Sequence, residues 1–139
     1  MPAACLLLLI LPAIVMAHAA SAADSLSPAF SGKTLSAIAY VERRQAARGS
    51  SGLTRLMFQA YLETGGGTLV RVWDPLRNAY TPPGRGSWSL NGSRLCLDRI
   101  AAGRLCADIH IWGPRIAGVG IDPYVMLDGD LEAGCLRAS

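Results

Sequence analysis

RLCLDRIAAGRLCAD, residues Arg94–Asp108, alternates apolar and polar side chains on both sides of a short Gly-containing segment. That is the pattern of two antiparallel strands joined by a tight loop. If Cys96 and Cys106 face each other across this hairpin, Arg94 falls opposite Asp108 and Asp98 opposite Arg104. Leu97 then meets Leu105, and Leu95 meets Ala107. One assumption about a disulfide thus yields two opposite-charge pairs and two apolar pairs, all of which a one-residue slip would break. The loop is Arg99–Gly103. A bridge closing about 11 residues contributes about 3 kcal/mol in the chain-entropy account, whereas exposed ion pairs add only roughly 0.2–1 kcal/mol each. The bridge outweighs the ion pairs. Its face also carries Arg94, Asp98, Arg104, Asp108 and His110, so it is the polar face of the sheet.

The same reading extends upstream. Ser87–Leu90 and Ser93–Leu97 flank Asn91-Gly92, a dipeptide suited to a type I′ turn. That turn places Trp88 opposite Leu95, Leu90 opposite Ser93 and Ser89 opposite Arg94, with Trp88, Leu90, Leu95 and Leu97 on a core face. In Arg55–Glu63, Leu56, Phe58, Ala60 and Leu62 share the core side. Gly65-Gly66-Gly67 allows a three-residue hairpin, and Thr68–Asp74 returns with Val70 and Val72 inward. Tyr61, Arg71 and Trp73 share the non-core face of this hairpin and are the candidate binding residues, because aromatic and Arg side chains suit contact surfaces.

Outside these hairpins the pattern is weaker. Pro75–Gly86 is a loop, Leu35–Val41 a first strand, and Glu42–Arg48 a short helix or loop. Tyr124–Leu127 and Leu131–Leu136 read as two strands joined by a turn at Asp128-Gly129. The expected fold is all-β, an antiparallel meander of about 7–8 strands forming a small barrel or a two-sheet sandwich.

The first 23 residues hold no charged side chain. Leu6–Met16 is an apolar run of h-region length, followed by the A-x-A sites Ala17-His18-Ala19 and Ala20-Ser21-Ala22. Residues 1–22 are therefore expected to be a signal peptide and 23–139 a single secreted β domain. The alternative is an uncleaved anchor in the inner membrane, the only membrane-spanning contact the sequence suggests. Pro12, His18 and Ser21 dilute the roughly 20 apolar residues that a span requires. Export allows disulfides. A formal net charge of +3, mixed with 10 acids, gives no argument for nucleic acid.

Chemistry is not declared. His110 is the single His beyond the leader, two residues from Asp108, and a hydrolase would have to combine it with a carboxylate and a nucleophile. Too few His and Cys remain for a zinc set, and no cofactor or metal is expected. Asp128-Gly129-Asp130 begins like a calcium loop, but Ala133 and Ser139 stand where Gly and Glu are required. The basic run Arg43, Arg44, Arg48 and Arg55 suits a solvated face, or contact with an acidic partner or anionic headgroups. With Cys5 in the leader, Cys135 is the odd cysteine.

Gly86-Ser-Trp88, then Leu95-Cys96-Leu97, then Leu105-Cys106 resemble the G-x-W…L-C…C pattern of a loose group of small secreted bacterial proteins, mostly of unknown function. The likeness covers roughly residues 55–112 and implies a periplasmic β protein with one disulfide. The G-x-W element is also similar to that of lipocalin-like barrels, where it stands on the first strand; here it lies mid-chain.

The expected function is non-catalytic binding in the periplasm or secreted outside it. The partner would be a small apolar ligand or an envelope protein, the latter including inhibition of a hydrolase such as a lysozyme. The alternatives are a structural envelope component dimerising through Cys135, and a hydrolase using His110 with a carboxylate.

Overall fold

A computed structural model describes residues 27–44, 51–100, 103–121 and 124–137. The expected leader, 1–22, lies outside the described residues, as does Arg48 of the basic run. Among the described residues one short helix, α1 (Ser27–Phe30), precedes nine strands: β1 (Lys33–Arg44), β2 (Ser51–Leu62), β3 (Gly67–Asp74), β4 (Ala79–Tyr80), β5 (Gly84–Asn91), β6 (Arg94–Ile100), β7 (Gly103–Trp112), β8 (Arg115–Ile121) and β9 (Tyr124–Ala133).

All pairings are antiparallel, in the order β2-β1-β9-β8-β7-β6-β5-β3-β4, and β2 also pairs with β3. Eight strands therefore close on themselves as a ring, with the two-residue β4 as a spur on β3. Closure occupies the strand edges that would otherwise template pairing with another chain. The expected all-β antiparallel meander is the observed architecture.

Alternation sets the inside. Leu35, Ala37 and Ala39 of β1 face Ala60, Phe58 and Leu56 of β2, with Leu62, Leu95, Leu97, Leu105, Ile109, Ile116, Val125 and Leu127 in the same continuous core. Phe30 of α1 is fully buried against Trp88, ring centroids 6.4 Å apart. The Trp88 indole Nε1 donates to the Glu63 carbonyl at 2.8 Å, which satisfies its polar end. Apolar side chains thus fill the inside of the ring. Among the described residues no helix is long and apolar enough to cross a membrane.

The central hairpin has the expected register: Cys96↔Cys106, Arg94↔Asp108, Leu95↔Ala107, Leu97↔Leu105 and Asp98↔Arg104. Cys96 and Cys106 form a disulfide. Asp98 and Arg104 form an ion pair at 3.5 Å, whereas Arg94 and Asp108, though opposed, form none among the described residues. Beyond Asp98 the register shifts at a bulge, with Arg99 at φ +61°, and Ile100 pairs with Gly103.

Five expectations need correction. Pro75–Gly86 is not loop throughout: it holds β4, paired with Trp73 and Asp74, and the first residues of β5, paired with β3. The β5–β6 turn is Gly92-Ser93, not Asn91-Gly92: Asn91 pairs with Arg94 and Trp88 faces Leu97. Gly92 takes φ +61° at the first central position, the II′ geometry. A shift of two residues preserves side-chain parity, so the core face is unchanged. The β2–β3 loop is likewise Thr64-Gly65-Gly66, closed by Glu63 N–H donating to the Gly67 carbonyl at 2.9 Å.

Glu42–Arg44 continue β1 as strand, paired with Leu53, Gly52 and Ser51; the rest of the expected helix or loop lies outside the described residues. Finally, Asp128-Gly129 is no turn. It lies inside the continuous strand β9, where Gly129 faces Ala37 and Ile116.

Candidate functional site

The parity that sends one set of side chains inward sends the other to the outer face. On β7–β8–β9–β1 that outer set includes a cluster of exposed apolar side chains. Asp108 is in register with Val119, Val119 with Met126, and Met126 with Tyr40. The next row runs His110, Ala117, Asp128, Ile38. Val119 and Met126 remain 48% and 42% exposed, and Trp112 and Ile121 expose 53% and 86%.

Together these strands form an open groove of about 810 Å³ lined by Tyr40, His110, Trp112, Val119, Ile121 and Met126, with Asp108, Arg115 and Asp128 among its polar members. Small residues on the floor, Ala117 and Gly118, leave the depression between the larger side chains. A contiguous apolar patch with a polar rim is what marks a binding surface on a folded domain.

The Arg115 guanidinium bridges Asp128 at 3.1 Å and separates this groove from a smaller neighbour of about 270 Å³ between Ser36, Ile38, Met57, Tyr80 and Asp130. His110 makes no side-chain hydrogen bond among the described residues. Among the described residues the side chains lining the groove with it include no Ser, Thr or Cys. Among the described residues no three His, Cys, Asp or Glu converge as a metal set.

The structure places the sequence candidates on a different part of the ring. Arg71 is only 8% exposed. Its Nε donates to Gln59 Oε1 at 2.7 Å, and one terminal nitrogen donates to the Arg137 carbonyl at 2.8 Å. Gln59 Nε2 in turn donates to Ser36 Oγ at 3.2 Å. The Tyr80 ring of β4 lies under the Arg71 guanidinium at 4.8 Å and edge-on to Trp73 at 5.2 Å. Arg71 and Trp73 are thus joined through Tyr80, which also borders the smaller groove. Tyr61 shares their face on β2, in register with Thr34 and Leu69, without joining that cluster.

Cys135 takes part in a disulfide, so it is not the odd thiol that the cysteine count suggested. The groove residues escaped the sequence reading, except His110 and Asp108, which fell on the expected polar face. The available sign was apolar side chains at outward parity, as in Tyr40, Val119 and Met126. Compared with protein-family models, with curated proteins and with solved structures, the chain matches none.

Proposed function

We propose that this chain is an exported, non-catalytic binding protein that holds a small apolar ligand in the outer groove across β7, β8, β9 and β1. The observation that carries this reading is the unbroken exposed row Val119, Met126, Tyr40, flanked by Trp112 and Ile121. A depression of about 810 Å³ falls in the range of roughly 300–1,000 Å³ used for small-molecule sites. The inner face is occupied by the protein's own core, so a ligand is better served outside the ring than within it.

A small ligand suits a concave trough better than a protein partner, which needs roughly 800 Å² of matching surface per side. Binding also accounts for His110 more simply than hydrolysis does. The lining offers His110 two carboxylates but no Ser, Thr or Cys, and no hydrogen bond fixes its ring among the described residues. The uncharged leader, the Cys96–Cys106 bridge and the resemblance to small secreted bacterial proteins support a periplasmic or secreted location.

The test uses a neutral fluorescent probe, N-phenyl-1-naphthylamine, with the wild-type chain and with Val119→Gln/Met126→Gln. Both changes sit on exposed outward positions, so the fold should survive, checked by far-ultraviolet circular dichroism. Loss of the apolar contact is expected to weaken probe binding at least about fivefold, given roughly 0.8 kcal/mol per buried methylene. Equal affinity in the two proteins would sink the reading.

A further inference from the structure

We infer that the ligand of the outer groove carries a cationic group, an ammonium or guanidinium on an apolar body. This deepens the proposed function and rests on the groove being a ligand site. The lining carries four polar groups that bear on charge: Asp108, His110, Arg115 and Asp128. Asp128 and Arg115 are committed to each other, with Arg115 donating to both Asp128 oxygens at 3.1 and 3.5 Å. That pair is electrically neutral.

Asp108 has no such partner. Arg94 stands opposite it on β6, yet no ion pair joins them among the described residues. On its other side Asp108 meets Val119. Among the described residues the groove therefore presents one carboxylate outside any ion pair, on a chain whose formal net charge is +3. A negative spot on a basic protein favours cations locally and disfavours anions.

The register gives the ligand its shape. Asp108, Val119, Met126 and Tyr40 occupy four adjacent strands, which at roughly 4.8 Å per strand make a track of about 14 Å. It runs from a carboxylate, across two aliphatic side chains, to an aromatic ring. A cationic head at Asp108 places an eight-carbon tail over Val119 and Met126. The Tyr40 ring closes the far, apolar end of the track, over the tail.

The experiment displaces the naphthylamine probe with three molecules of one length and different charge: octylammonium, 1-octanol and octanoate. Each is titrated against the wild-type chain and Asp108→Asn, which keeps size and removes charge. Octylammonium is expected to bind about fivefold more tightly than octanol, the upper size of one exposed ion pair. Octanoate should bind most weakly. The preference should vanish in Asp108→Asn, and it should shrink as salt is added. Equal binding of octylammonium and octanol, or a preference that survives Asp108→Asn, would overturn the cationic assignment and leave the apolar groove standing. If neither the probe nor any of the three binds, the groove itself is not a ligand site and both conclusions fall.

Discussion

Gly129 stands mid-strand in β9 with its missing side chain aimed at β1. A Cβ there would lie 2.5 Å from the Ser36 carbonyl oxygen and 2.7 Å from the Ala37 Cβ. Both belong to the strand paired with β9, so neither can retreat without loosening that ladder. Gly129→Ala is expected to destabilise the fold by about 1–3 kcal/mol, as overpacking does. A lower urea midpoint at unchanged m would register it, and a midpoint equal to wild type would mean that β1 yields to the added methyl at no cost. The same residue explains why β9 was hard to read. Asp128-Gly129-Asp130 has turn composition, and only the proximity of β1, a long-range fact, turns its Gly into a packing requirement. In β8 the inward positions are Ile116, Gly118 and Gly120, so two of three carry no side chain to mark the core face. Tyr40, Val119 and Met126 were hidden for the opposite reason. An apolar residue at outward parity only blurs the alternation, and these three come from opposite ends of the chain.

At the scale of elements, the β6–β7 hairpin was legible because several independent signals agreed on one register. The cysteines, the Asp98–Arg104 pair and the two apolar pairs all fail together if the strands slip. The β5–β6 hairpin carried fewer constraints, and Asn91-Gly92-Ser93 admits two turns, one residue apart, whose registers differ by two residues. Both keep Trp88, Leu95 and Leu97 inside, so composition did not choose between them. The disulfide is the hairpin's covalent staple, and its contribution can be isolated. Cys96→Ser/Cys106→Ser is expected to lose about 3 kcal/mol of stability, read from urea unfolding without reductant so that Cys135 keeps its own bond. A loss below about 1 kcal/mol would mean that Leu97↔Leu105 and Leu95↔Ala107 already hold the register, with the bridge added to a hairpin that forms without it.

For the whole molecule the decisive contact is the seam between the first and last long strands. β1 pairs with β9 from Lys33↔Ala133 to Val41↔Val125, and without that ladder the meander would remain an open sheet. The outer groove also spans it, since Tyr40 lies on one side and Met126 on the other. Closing a loop of that length orders much of the chain before any contact rewards it, whereas the disulfide hairpin needs only a short one. Hairpin contacts should accordingly be present in the folding transition state, and the seam should form after it. The paired test is Leu105→Ala in β7 and Leu131→Ala in β9, both buried and each expected to cost about 2–5 kcal/mol, enough for a reliable φ-value. In stopped-flow measurements with the Cys96–Cys106 bridge intact, Leu105→Ala should mainly slow folding, with φ above about 0.5. Leu131→Ala should mainly speed unfolding, with φ below about 0.3. If Leu131→Ala slows folding as much as Leu105→Ala, ring closure belongs to the nucleus, and the groove's two walls are brought together at the first committed step of folding.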